Sequence, residues 1–232
     1  RYRPWRGPLR GPWRSALALA RVSLLLMARR RLFWALYAVA GLGFVFTAVC
    51  QYLVVWLQLQ MSAQTVPLLG LRVKVTDLTK LLDKLALSGS ADTFGNFIWF
   101  QGHAVMIVLA LAGAVLVGND FHHGSLPFYL AKPIGRRHYL LGKGLGVAGL
   151  IAGLVTLPAL FLYVEAGLLY DWQAYYPTHL RELAGILGYS AVLMLTLGLL
   201  LLATSVWLRR TVPLVMVWAG VFVLGRTLAG FL

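Results

Sequence analysis

The sequence predicts an all-α polytopic membrane protein, and three observations predict it. The 232 residues are 60% hydrophobic and only 12% charged, with a mean hydropathy of +0.78. A soluble domain of this size cannot hide so much apolar surface. Five apolar runs are each long enough to cross a hydrocarbon layer that needs about 20 helical residues. Lys and Arg collect in alternate connections between those runs, as they do on the cytoplasmic side of membrane proteins. The net charge of +14 therefore reads as topology rather than as affinity for nucleic acid.

Residues 1–31 form a basic segment. Residues 1–14 are rich in Arg, Pro, Gly and Trp, and Trp5, Trp13 and the arginines suit a membrane surface. From Ser15 to Arg31 the pattern is helical, with Leu17, Leu24 and Leu25 on its apolar side and Arg14, Arg21 and Arg29–Arg31 at its edges. This predicts an interfacial helix lying flat before the first span; the alternative is an extension of that span. The chain opens on Arg1 rather than Met, so a trimmed start is expected, and no cleavable signal peptide is visible. The sole cysteine, Cys50, lies inside an apolar run and supports neither an internal disulfide nor a thiolate metal site.

The first span is expected at 32–57 and the second at 97–118. Between them, 58–96 is a polar outer loop in which Thr76-Asp77 caps an amphipathic helix bearing Leu78, Leu81, Leu82 and Leu85. The third span, 144–169, holds Pro158, a source of a kink. A short aromatic loop runs from Tyr170 to Glu182. The fourth span is expected at 183–208, Arg209-Arg210 make a basic turn, and the fifth occupies 212–232. The N-terminal segment, the 119–143 connection and Arg209-Arg210 carry most of the positive charge. The outer connections balance Arg72, Lys74, Lys80, Lys84 and Arg181 against Asp77, Asp83, Asp92, Asp171 and Glu182. The basic side is cytoplasmic, N-terminus included.

The 119–143 connection, NDFHHGSLPFYLAKPIGRRHYLLGK, is punctuated like two short helices. Ser125 can cap the first, with Pro127 tolerated in its opening turn, and Pro133 ends it; Gly135 can open the second. Its order of residues resembles the cytoplasmic loop of ABC type-2 permeases, the membrane subunits of a class of ATP-driven exporters. Asp120, Gly124-Ser125-Leu126, Pro133-Ile134-Gly135-Arg136 and Tyr139-Leu140-Leu141-Gly142-Lys143 stand where that family has an acid, Gly-Thr-Leu, Pro-Ile-Ser-Arg and Tyr-Leu-Leu-Gly-Lys. Ser125 keeps the hydroxyl of the usual Thr, and Gly135 loses that of the usual Ser. The motif covers about a tenth of the chain.

The resemblance implies a cytoplasmic coupling helix between the second and third spans, and six spans in all. A sixth is expected beyond Leu232, where the chain stops within an apolar stretch. It further implies a permease subunit that forms the substrate pathway of an exporter and docks two ABC ATPase subunits. The expected coupling residues are Asp120, Gly124, Ser125, Leu126, Pro127, Phe128, Leu130, Lys132, Pro133 and Arg136. A second permease copy or homologue, membrane lipid and an outer-side accessory protein are the other expected partners, and the bacterial inner membrane the expected location. A non-transporting anchor or scaffold of the same fold is the alternative.

Other residue groups carry less. No P-loop exists, because Arg137 and Gly144 occupy positions where it needs Gly and Ser or Thr; ATP and Mg belong to the partner, and no enzyme activity or cofactor is expected here. Gly142, Gly146, Gly149 and Gly153 share one helical face, where small residues let another helix approach closely, whether within the subunit, at a dimer seam or along a substrate path. Adjacent histidines such as His122-His123 point about 100° apart on a helix and lack supporting ligands. His103 reads as a satisfied polar residue rather than a haem ligand. Ser190, Thr196 and Thr204 have no base beside them and are expected to bond back to their own helix. Glu165 is expected near the outer interface; with Arg226 it is a candidate substrate or partner contact, and it is the nearest candidate partner of Arg226 if the third and fifth spans pack together. Arg226 lies within the fifth span, either as a substrate or partner contact or as a snorkelling side chain.

Overall fold

The computed structural model describes residues 11–59, 65–68, 71–74, 91–113, 135–170, 172–208 and 211–224. Among them the elements are helical apart from one short hairpin. The order is α1 (Pro12–Ala28), α2 (Arg31–Leu59), β1 (Thr65–Leu68), β2 (Leu71–Lys74), α3 (Ala91–Gly113) and α4 (Arg136–Ile151). A π-helical turn (Ala152–Thr156) leads into α5 (Leu157–Leu169), followed by α6 (Trp172–Thr178), α7 (Leu180–Trp207) and α8 (Thr211–Ala219), which ends in a second π turn (Gly220–Leu224).

Four described helices are long and apolar enough to cross a membrane: Arg31–Gln58, Ala91–Ala110, Arg136–Leu169 and Leu180–Ser205. The fifth expected span is described only to Leu224, and its apolar part, Val212–Phe222, is shorter than a crossing needs. The helices overrun the apolar runs that announce them. α3 begins at Ala91 rather than 97, because Asp92 favours the positive end of a helix dipole. The third span begins at Arg136 rather than 144, so the end of the 119–143 connection is helix, and the opening predicted at Gly135 immediately precedes it.

Two connections differ from expectation. The 58–96 loop contains the antiparallel hairpin, paired Thr65 with Lys74 through Leu68 with Leu71. The capped helix expected after Thr76 lies outside the described residues. The aromatic loop from Tyr170 to Glu182 contains the two turns of α6, with Pro177 near its end, where a missing N–H disrupts little.

α1 is a helix in its own right. Pro12 occupies its first turn, and at its end Arg29 N–H bonds to Leu25 O and Arg30 N–H to Met27 O before α2 starts. Ala16, Ala20, Ser23 and Met27 are buried at spacings of four, three and four, so one face is in contact and the other exposed.

The chain divides into two compact units. One comprises residues 1–33, 108–150 and 195–232. Here α1 lies on α4, Gly198 of α7 meets Val147 of α4 at 3.9 Å from its Cβ position, and Trp218 Nε1 of α8 donates to Thr204 Oγ1 of α7 at 3.1 Å. The other comprises 34–107 and 151–194. Gln101 Nε2 of α3 donates to Ala40 O of α2 at 2.8 Å, the Phe100 ring fills the space a side chain at Gly43 would need, and Phe94 of α3 meets Tyr163 of α5 at 6.3 Å between ring centres.

Candidate functional site

Of the residues expected to couple to an ATPase, Asp120, Gly124, Ser125, Leu126, Pro127, Phe128, Leu130, Lys132 and Pro133 lie outside the described residues. So do His122, His123 and Arg226. Arg136 is described, exposed at the first turn of α4. The rest of the motif divides by helical phase. Tyr139, Gly142 and Lys143 point inward and are buried, while Leu140 and Leu141 are exposed. Lys143 Nζ stands 6.0 Å from the Tyr139 ring centre, within reach of the ring's negative face. Spacings of three and four place Tyr139, Gly142, Lys143 and Gly146 on one side of α4, so the tail of the motif is a packing surface.

That surface receives α1. A Cβ at Gly142 would stand 2.8 Å from Ala16 O, one at Gly146 3.3 Å from Ser23 Cβ, and one at Gly149 3.2 Å from Leu24 Cδ1. Small residues on both helices bring the backbones together, gaining dispersion contacts that lipid cannot replace. Gly153, the fourth glycine of the face, is different: nothing lies within 4 Å of its Cβ position.

Gly153 belongs instead to a cavity of about 250 Å³ between α2, α3 and the π turn with α5. Pro158 explains the turn. Its ring has no N–H and clashes with the carbonyl four residues back, so an α-helical path through 154–158 is disfavoured. The chain widens, and Leu157 N–H bonds to Ala152 O, five residues back. In that pattern Gly153 O would next need the N–H of residue 158, which proline lacks. The Tyr37 hydroxyl of α2 approaches this carbonyl at 3.5 Å. The expected disturbance at Pro158 thus takes the form of a π turn, a feature frequent at functional sites.

Gln101 borders the cavity but is itself almost fully buried, so little of its amide faces the space. The residue is 1% exposed, its Nε2 is committed to Ala40 O, and its Oε1 has no partner among the described residues. Sequence reasoning passed over Gln101; its signal was a lone amide within an apolar span. Glu165 is half-buried on α5, and no contact of it with Arg226 is described.

Polar residues of the spans behave as follows. His103 Nδ1 donates to Trp99 O at 2.8 Å, one turn back, and its ring rests on Trp99 at 4.3 Å. Thr204 Oγ1 donates to Leu200 O at 2.7 Å, as expected of a span hydroxyl. Ser190 departs from that expectation: its Oγ is buried without a partner among the described residues.

An aromatic cluster closes one end of the second unit. Tyr175 of α6 stacks on His179 (4.0 Å, 10°) and on Tyr170 (5.9 Å, 6°), and packs against Tyr163 at 5.8 Å. The hydroxyls of Tyr163 and Tyr175 and Oε2 of Glu182 are buried there without partners among the described residues. Burial pushes the Tyr175 phenol up from its ordinary 10.0, and neighbouring Tyr163 and Glu182 push it the same way. The folded pKa exceeds the unfolded one, so this contribution to stability is intact below about pH 10 and is lost progressively as pH rises towards the folded value. Tyr175→Phe should leave stability near neutrality unchanged or raised, since it removes a desolvated hydroxyl. Above about pH 10 the variant should lose stability more slowly, by up to about 1.4 kcal/mol per pH unit. Thermal unfolding of both proteins across the alkaline range reads this directly, and parallel curves would refute it.

Compared with known protein families, with characterised proteins and with solved structures, the chain matches none.

Proposed function

We propose that the chain is the permease subunit of an ABC exporter of the type-2 kind, forming the substrate pathway and coupling through residues 119–143 to a separate ATPase. The observation that carries this reading is the order Asp120, Gly124-Ser125-Leu126, Pro133-Ile134-Gly135-Arg136, Tyr139-Leu140-Leu141-Gly142-Lys143, standing between the second and third spans on the Lys- and Arg-rich side. Four helices long and apolar enough to cross a membrane support it. So does the burial of Tyr139, Gly142 and Lys143 beside an exposed Arg136, because the residues that follow the proposed docking stretch in sequence belong to a packed helix. A push delivered there would move α4 together with α1, because their backbones are in contact and a close-packed seam transmits displacement.

In this reading two copies, or this chain and a homologue, work with two ATPase subunits that bind ATP and Mg. The complex sits in the bacterial inner membrane with the N-terminus inside. Purification of the native complex tests it: a Walker-motif ATPase should remain bound at one copy per permease. A stable complex containing only partners without Walker motifs would replace the exporter by a membrane anchor.

Topology is tested separately. In a Cys50→Ser background, Ser88→Cys should react with an impermeant thiol reagent on intact cells and Ser125→Cys should not. The reverse pattern would invert the proposed orientation.

A further inference from the structure

We infer that the outward face of α1, with the arginine turn that follows it, binds anionic phospholipid in preference to zwitterionic lipid. The inference needs the chain to lie in a membrane and does not rest on the exporter reading.

Uncompensated charge is the first ground. In the unit made of residues 1–33, 108–150 and 195–232, the described residues include seven exposed arginines and the buried Lys143, and no carboxylate. Over its full sequence that unit carries sixteen Lys and Arg against one acid, Asp120, while the other unit carries five against six. Most of the counter-charge of the first unit must therefore come from outside it. Five of the seven exposed arginines belong to α1 and its end: Arg14, Arg21, Arg29, Arg30 and Arg31.

The composition of the face selects the kind of anion. Arg14, Leu17, Arg21 and Leu25 follow one another at spacings of three, four and four, turned away from the buried row of Ala16, Ala20, Ser23 and Met27. Leu17 is 60% exposed and Leu25 50%. A nucleic acid or an acidic protein groove would satisfy the arginines and has no particular use for the leucines. A membrane surface takes both: acyl chains cover the leucines, and phosphate oxygens match the planar fork of a guanidinium.

Position makes the same selection. α2, the first candidate span, begins at Arg31, and only Arg29 and Arg30 separate it from α1. Arginine at the hydrocarbon centre is costly, so three guanidiniums at the mouth of a span stand in the headgroup layer. Arg21 lies about 12 Å back along the helix from Arg29, and Arg14 about 10 Å further. Phosphatidylcholine balances each phosphate with its own ammonium. An anionic lipid has net charge, and each cation near such a surface adds attraction that a neutral surface lacks.

The experiment uses the full chain in detergent with equal amounts of phosphatidylglycerol and phosphatidylcholine of the same acyl chains. Native mass spectrometry reads the lipid retained on the protein. Phosphatidylglycerol should be retained preferentially, and the preference should shrink as salt is raised. Glycerophosphate, which has the charge without the chains, should not displace it. Arg14→Gln with Arg21→Gln should lower the preference about fivefold for each charge removed, and Arg14→Lys with Arg21→Lys should restore it. Arg181→Gln, which removes an exposed arginine from the unit where acids balance bases, is the control and should change nothing. All three arginines are exposed, so these variants leave the packed faces of the helices intact. Equal retention of the two lipids, displacement by glycerophosphate, a loss in the Gln double variant no larger than in Arg181→Gln, or no rescue by Lys would each overturn the proposal.

Discussion

Gly142→Leu is expected to unseat α1 from α4 and to lower the thermal stability of the chain more than any other single glycine substitution in this seam. A Cβ at Gly142 falls 2.8 Å from the backbone oxygen of Ala16 and 3.0–3.1 Å from Leu19. A backbone carbonyl cannot rotate aside as a side chain can, so the helices must separate to admit even one carbon. Overpacking of this kind costs about 1–3 kcal/mol. Alanine recovers about 1 kcal/mol of helix propensity over glycine, so Gly142→Ala should be only mildly destabilising. Leucine brings three further carbons to the same contact and should break it.

Gly41→Ala is the control. Its Cβ enters open space, so the same propensity gain appears with no clash, and stability should be unchanged or raised. Tryptic cleavage at the exposed Arg29-Arg30 turn reports release of α1, and unfolding in detergent reports the energy. Unchanged cleavage and unchanged Tm in Gly142→Leu would show that α1 does not rest on this face.

The seam also shows what a sequence can and cannot reveal. Four glycines at spacings of four, three and four are legible as one helical face, because helical phase depends on nothing but residue number. Which helix that face receives is not legible, since a row of hydrogens is equally open to any neighbour. The match becomes visible only when Ala16, Ala20 and Ser23 are seen as the complementary row. Gly153 shows the limit of the phase argument itself. The π turn at Ala152–Thr156 shifts the phase after Ile151, so the fourth glycine leaves the seam and joins the cavity.

The spans were legible because hydropathy integrates over about 20 residues. Their ends were not, because a helix stops at a cap or a breaker rather than where apolar residues run out. Arg136–Lys143 and Ala91–Asn96 are polar and helical for that reason. The hairpin had a local signal that span-scale reading ignores: Thr-Val-Pro-Leu and Leu-Arg-Val-Lys flank a two-residue connection, Leu69-Gly70, of a length common in tight hairpins. Gln101 was hidden by its surroundings. One amide in an apolar run barely alters hydropathy, and its bond to Ala40 O on another helix is visible only in the tertiary structure.

Replacing Leu126 and Phe128 together by alanine is expected to abolish transport while leaving the chain in the membrane. The expectation rests on the proposed function and on residue order, since both positions lie outside the described residues. Leu126, Phe128 and Leu130 are apolar residues in a connection assigned to the aqueous side, where water-exposed hydrocarbon is unfavourable by about 25 cal/mol per Å² unless a partner covers it. Aromatic anchors inside a polar rim are what a small, energetically concentrated interface requires. Lys132, Arg136 and Arg137 would supply that rim and meet an acidic groove on the ATPase. Removing the anchors should cost at least about 2 kcal/mol of binding, or roughly thirtyfold in affinity. Expression and thiol topology should be normal, ATPase co-purification should fall by that factor, and basal ATP hydrolysis by the released ATPase should persist. Gly142→Leu provides the contrast, because it loosens the α1–α4 seam behind the loop without altering the anchors, and should leave ATPase co-purification intact while weakening the transmission of its push. Intact co-purification and intact transport in the Leu126→Ala, Phe128→Ala double variant would show that residues 119–143 do not couple the two subunits, and would remove the observation on which the exporter reading stands.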